Sequence, residues 1–280
     1  MNKGIKAGVF VAVAGMAAAV GAQAATEVEL KNMAARVIVT PENRSDVQLT
    51  VNYGKADVPK IMVSTKGDKL VATGQLRKRS YNCVNSQTVR IDGKGNIALA
   101  DLPVVHLRVP MDARVASEGA VYGRIGAANS LEFALGGCGD WTADNVREKA
   151  ELSIGGSGSV RAGNVGDAEV AVGGSGDIYL GRVKSLSGAI GGSGAINVAE
   201  VSGPVDIAIG GSGDVRIDNG TSPKIDVSIA GSGNVRFGGE ARDVDVSIVG
   251  AGDVSIRKVT GHVSRTVMGS GKIRINEGGR

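Results

Sequence analysis

Residues 172–180 read VGGSGDIYL and residues 190–198 read IGGSGAINV, two apolar–polar alternations folded around a glycine–serine–glycine corner. The same pattern recurs at 135–143 (LGGCGDWTA), 154–162 (IGGSGSVRA), 209–217 (IGGSGDVRI), 229–237 (IAGSGNVRF), 248–256 (IVGAGDVSI) and 267–275 (VMGSGKIRI). A weaker first copy stands at 115–123 (VASEGAVYG). Anchoring glycines at Gly119, Gly139, Gly158, Gly176, Gly194, Gly213, Gly233, Gly252 and Gly271 lie 20, 19, 18, 18, 19, 20, 19 and 19 residues apart. A period near 19 predicts a solenoid.

The alignment columns say how each coil is built. Two after the anchor stand Val121, Trp141, Val160, Ile178, Ile196, Val215, Val235, Val254 and Ile273, and four after it the chain is again apolar, while the residues between are polar. Four before it, Val115, Leu135, Ile154, Val172, Ile190, Ile209, Ile229, Ile248 and Val267 form a second aliphatic column; six before, Gly188 and Arg265 break the pattern. Period-2 alternation marks strands with one buried face. The corner glycines are expected to take positive φ and turn the chain sharply, and the corner serines Ser157, Ser175, Ser193, Ser212, Ser232 and Ser270 to satisfy backbone groups with their hydroxyls. Strands this short cannot bury a face alone, so coils stack in parallel around a shared core. With right-handed crossovers, the expectation is an all-β, right-handed parallel β-helix of ~19-residue coils.

Composition agrees. Of 280 residues 44 are Gly, against an ordinary ~7%, while aromatics are 3% and the hydrophobic fraction is 42%. Collagen, disorder and helical bundles are excluded, and the core is aliphatic. Residues 1–24 read as a signal peptide: Lys3 and Lys6 open it, Ala7 to Ala22 is uncharged, and Ala22-Gln23-Ala24 offers a cleavage site after Ala24. The mature chain then has no transmembrane segment, and the protein is expected to be exported, to a periplasm, the cell surface or the medium. Without Lys3 and Lys6 the 32 basic side chains become 30 against 28 acidic ones, too balanced for a nucleic-acid-binding field. Export favours a disulfide between Cys83 and Cys138; its loop of about 55 residues gives about 4 kcal/mol on the chain-entropy model.

Residues 25–110 lack the corner yet carry β-type runs at 37–39, 47–51, 61–63, 70–71 and 105–110. They are read as an irregular β N-terminal cap of the same domain, followed by repeats over 111–276 and a polar tail at 277–280. The basic cluster Arg77-Lys78-Arg79 falls in the cap and is read as a solvated loop.

These residues resemble the bacterial putative auto-transporter adhesin head GIN domain family. The likeness rests on the signal peptide, Val37-Ile38-Val39, the V-x-L-x-V-P run from Val105 to Pro110 and the G-S-G-x-[VI] coils, including Gly194-Ala195-Ile196-Asn197, over about residues 30–275. The resemblance implies a right-handed β-helix and an adhesin label with no established biochemistry. No C-terminal membrane barrel follows the coils, so self-translocation is not expected.

Catalytic motifs are missing. No G-x-S-x-G elbow occurs, His106 and His262 have no nucleophile–acid partners in view, and Gly269-Ser270-Gly271-Lys272 lacks phosphate-loop spacing. No cofactor is called for. Corner acids are rivals for calcium, but no two consecutive coils both supply one. The candidate ligand-binding stripe lies three after the anchor: Tyr122, Arg161, Tyr179, Arg216, Arg236 and Arg274, with Thr142, Asn197 and Ser255 between. Guanidinium forks suit phosphate and carboxylate; equally, strands need outward polar residues. A column five before the anchor, from Arg114 through Ala134 to Thr266, is nearly all small. The reading is an exported, non-catalytic adhesin or cell-envelope scaffold whose partner is a polysaccharide, lipopolysaccharide or another envelope protein. The alternative is a carbohydrate-active β-helix enzyme, with Asp177 and Asp214 beside Arg161, Tyr179 and Arg216.

Overall fold

The computed structural model describes residues 18–23, 25–77, 80–85 and 87–277. Most of the expected signal peptide, its cleavage site after Ala24, Lys78 and Arg79 of the basic cluster, and the tail beyond 277 lie outside the described residues; Ala18–Gln23 runs antiparallel to Val47–Asn52.

Parallel coils of ~19 residues stack into a β-solenoid of about 9 turns. Each coil pairs with the next in register: Asp140–Ala143 on Ser159–Ala162, the latter on Asp177–Ile190, and so on to Lys272–Glu277. Both predicted aliphatic columns face inward over most of their length. Ile154, Val172, Ile190, Ile209 and Ile229 from one face meet Val160, Ile178, Ile196, Val215 and Val235 from the other, all buried. A third inward column, Val146, Val165, Val183, Val201, Ser222, Ala241 and Val259, closes the core after the second bend. It explains the variable period. In the coil of residues 214–231, Val201 pairs with Gly220, yet Ser222 carries the column onward opposite Ala241, so extra residues are absorbed in that bend.

The first copy sits two residues away from its sequence alignment. Val115 pairs with Phe133, Ala120 bridges Cys138 and Gly123 pairs with Trp141, a constant offset of 18 residues. Gly119 therefore stacks on Gly137, and Val121 occupies the anchor column beneath Gly139. One glycine in this copy cannot say which of two glycine columns it belongs to. Gly123 is needed for a separate reason: a Cβ there would strike the ring of Trp141 at 2.2 Å, and Trp141 is wholly buried against Phe133 at 4.7 Å.

The corners require glycine for close approach more than for φ. The expected positive φ is found in the corners only at Gly119, Gly139, Gly250 and Gly269 among the described residues; the anchors from Gly158 to Gly271 do not have it. A Cβ on Gly194 would instead lie 2.0 Å from the carbonyl oxygen of Gly176, and one on Gly156 would lie 1.9 Å from that of Gly137. The serines act through their backbone: Ser175 N–H donates to Gly156 O at 3.1 Å and Ser193 N–H to Gly174 O at 3.1 Å. Their side chains are exposed and donate no hydrogen bond among the described residues, contrary to the expected corner role.

Glu27–Glu42 forms a rung beneath Asp112–Ile125, and the parallel strands Lys69–Thr73 and Val104–Pro110 cover its outer edge. Met62–Lys66 and Val47–Asn52 then add antiparallel to these two. These strands cover the N-terminal rung, and Met62–Lys66 becomes an outer strand paired on one side only among the described residues. Tyr81–Asn85, Thr88–Ile91 and Gly95–Ala98 make a separate three-stranded antiparallel sheet. Its Val89 and Ile91, with Leu76 and Leu102, pack on Ala34, Ala120 and Tyr122 of the first rungs, and the Cys83–Cys138 disulfide ties it to the second corner.

Candidate functional site

The outward column three after the anchor is a continuous ladder. Register places Arg124, Thr142, Arg161, Tyr179, Asn197, Arg216, Arg236, Ser255 and Arg274 one above another at the ~4.8 Å strand spacing. Five of the six expected stripe residues stand in it. Tyr122 does not, because of the two-residue offset of its coil: it pairs with Arg36, bridges toward the Asp140 column and is 8% exposed beneath the inserted sheet. Its hydroxyl donates to Asn85 O at 2.9 Å, and burial, with Asp140 nearby, pushes its pKa up to about 12. Arg124 takes the place expected for Tyr122.

The guanidinium groups of the ladder differ in what holds them. Arg161 lies over the Tyr179 ring, 4.6 Å from its centroid, and donates to Ser159 Oγ at 2.9 Å. Arg216 pairs with Asp218 at 2.6 Å, Arg274 with Asp253 at 3.2 Å and Arg124 with Asp144 at 3.1 Å. Arg236 is exposed and has no ion pair among the described residues. The face offers cations one to three rungs apart, one ring stacked under a guanidinium and one uncommitted charge.

The neighbouring corner acids are already engaged. Asp177 Oδ1 accepts the Ala195 N–H at 3.0 Å, Asp214 Oδ1 the Asn234 N–H at 3.0 Å and Asp253 Oδ1 the Lys272 N–H at 2.9 Å. Asn145 and Asn164 do the same at the opposite bend. These side chains tie one coil to the next, so the acids proposed beside the stripe for the enzyme alternative serve the stack. His106 sits on the Val104–Pro110 strand at one end of the solenoid and His262 near the other. Among the described residues no group of three His, Cys, Asp or Glu side chains is placed to hold a metal ion.

Sequence reasoning missed a second ladder, on the face before the corner. Arg114, Glu132, Glu151, Glu169, Ser187, Asp206, Asp226 and Asp245 stack in register. Lys149 bridges Glu169 at 2.7 Å and Glu151 at 3.6 Å, and Lys224 meets Asp226 at 2.8 Å. Its neighbours line a shallow groove of about 400 Å³ with Asp167, Ser185 and Pro204. The column seven before the anchor was the available signal. Beside it runs the small-residue column, which begins at Ala116 opposite Ala134 and leaves Arg114 in the acidic ladder.

Comparison with known proteins bears on family and fold. Residues 183–279 match the family described as "Putative auto-transporter adhesin, head GIN domain". A search of curated proteins found no match. Among solved structures, a putative adhesin from Parabacteroides distasonis ATCC 8503 has 13% identity and a TM-score of 0.53, with 93% of this chain and 96% of that chain covered. A putative adhesin from Bacteroides fragilis NCTC 9343 has 12% identity and a TM-score of 0.37 over 93% and 96% of the two chains. The first shares the fold; the family match begins only at residue 183, inside the span of about 30–275 that the motifs suggested. Over residues 183–279, about a third of its length, the chain is similar to the putative auto-transporter adhesin head GIN domain family.

Proposed function

We propose that the protein is an exported, non-catalytic adhesin or cell-envelope binding module that takes an anionic glycan along the Arg161–Tyr179–Asn197–Arg216–Arg236 ladder. The observation that carries this reading is a flat, exposed strand face with cations in register and the Arg236 guanidinium unpaired. A linear polyanion meets such a face along the solenoid axis: guanidinium forks engage carboxylate or phosphate groups, and the Tyr179 ring offers a stacking surface. Family and fold support an adhesin-like role at the bacterial exterior. Partners of this chemistry are polysaccharides, lipopolysaccharide or an acidic envelope protein.

The test is a glycan and lipopolysaccharide array read with purified protein at low and at physiological salt, since exposed charge contacts weaken with screening. Replacing Arg161, Arg216 and Arg236 together by serine is expected to abolish a salt-sensitive hit while leaving the melting curve within a few degrees, because exposed ion pairs contribute only ~0–1 kcal/mol. Binding unchanged in the triple variant would remove the ladder from the reading. Release of glycan fragments would replace it with the enzymatic alternative.

A further inference from the structure

From the third corner onward, the position three before each anchor glycine is one on which the fold makes no demand. A Cβ built on Gly155 or Gly191 meets no atom within 4 Å, and one on Gly173 or Gly210 meets only a carbonyl oxygen at 3.9 Å. The position is glycine from Gly136 to Gly210, then becomes Ala230, Val249 and Met268, which stack in register. Val249 is 47% and Met268 61% exposed. In the same corner the serine column is interrupted by exposed Ala251, and Val267 on the last rung is 41% exposed. Packing does not require these apolar side chains, and they lie together on the last coils.

Charge changes over the same coils. Residues 254–276 contain no Asp or Glu but carry Arg257, Lys258, Arg265, Lys272 and Arg274, in a chain otherwise nearly balanced. Lys258 pairs with Glu240 and Arg274 with Asp253. Arg257 and Lys272 are exposed without ion pairs among the described residues, and Lys272 emerges from the corner that presents Met268.

We infer that this end of the solenoid docks on an anionic lipid surface, with Val249 and Met268 entering between headgroups and Arg257 and Lys272 against lipid phosphates. The two features select this occupant jointly. A glycan supplies anions but no apolar phase for Met268, whereas an anionic bilayer supplies both. A second copy would cover the apolar side chains but would set one predominantly cationic end against another, which repels. Docked in this way, the chain directs its N-terminal cap and inserted sheet away from the membrane.

The test is cosedimentation of the purified chain with vesicles of phosphatidylcholine alone and with about one third phosphatidylglycerol. The expected result is salt-sensitive binding to the anionic vesicles only. It should weaken roughly tenfold in the Val249→Ser/Met268→Ser variant and also in Arg257→Glu/Lys272→Glu, both with unchanged circular dichroism. The Arg161/Arg216/Arg236 variant should bind vesicles as the parent does, so failure of the glycan reading and failure of this one are separable. Three results overturn the inference: no binding to anionic vesicles, binding indifferent to Val249 and Met268, or a dimer in sedimentation that the Val249→Ser/Met268→Ser variant dissolves.

Discussion

Two adjacent glycines should respond oppositely to the same methyl group. In Gly192→Ala the new Cβ lies 2.0 Å from Gly174 O and 2.7 Å from Gly173 O, all backbone of the coil below. Ordinary contact needs about 3.4 Å or more, so the rungs must part by over 1 Å at a spacing of ~4.8 Å. The hydrogen bonds flanking the contact, Ser193 N–H to Gly174 O at 3.1 Å and Gly191 N–H to Val172 O at 2.9 Å, cannot both survive that separation. Two lost bonds cost about 1 kcal/mol each, and residual overpacking adds ~1–3 kcal/mol, for a total of about 4 kcal/mol. At ~2–4 °C per kcal/mol for a chain of this size, the melting temperature falls by roughly 10 °C. Gly191 has open space and no positive φ, so Gly191→Ala only stiffens the unfolded chain and stabilises by ~0.4–1 kcal/mol. Thermal unfolding followed through the single, buried Trp141 reads both variants. Equal melting temperatures, or Gly191→Ala the worse of the two, would refute the argument that stacking distance fixes these glycines.

Two further outcomes follow from the cap. Replacing Cys83 and Cys138 by serine should cost about 4 kcal/mol and raise amide exchange over residues 81–98 well before the coils, because that sheet shares no ladder with the solenoid; uniform exchange would show the insert to be held by packing alone. Glu42 accepts hydrogen bonds from Arg108 at 2.9 and 3.0 Å, which hold its carboxyl below the ordinary 4.5. A depressed folded value means that this contribution to stability is present above the unfolded value and is lost as pH falls through the folded one. Glu42→Gln should therefore flatten the decline in melting temperature between about pH 5 and 3, and parallel curves for the two proteins would exclude the ion pair from acid sensitivity.

What could be read from the sequence was whatever repeats in every coil. The aliphatic columns around Ile190 and Ile196 are such a case; the Cys83–Cys138 pairing was legible for another reason, the chain having only two cysteines. Three features resisted for three different reasons. The register of the first coil depended on Gly119, where one glycine fits either of two columns separated by two residues, and Tyr122 was misplaced with it. The third inward column is regular from Val146 to Val201 and then shifts past Gly220 to Ser222, so a fixed spacing loses it. The acidic ladder from Glu132 to Asp245 was hidden because an outward carboxylate on one strand is unremarkable; its meaning comes from stacking at ~4.8 Å, where like charges need Lys149 and Lys224 between them.

A solenoid divides its positions by the origin of their constraint, and this division shows where function can reside. The inward columns are apolar apart from Ser222 and the exposed last rung, and from the second corner onward the second and fourth corner residues are glycine because the carbonyl below leaves no space; Gly192 and Gly194 have no alternative. Side chains such as Asp177 and Asp214 look functional, yet their oxygens hold the next coil's amides. What remains is the set of outward positions that change along the axis without a structural cause. The rung carrying Arg236, exposed and without an ion pair among the described residues, is one such place, and the glycine column that becomes Ala230, Val249 and Met268 is another. The first alters the charge of a face and the second the polarity of a corner. Neither set touches the inward columns or the stacking glycines, so side chains at both can be exchanged without altering how the coils stack.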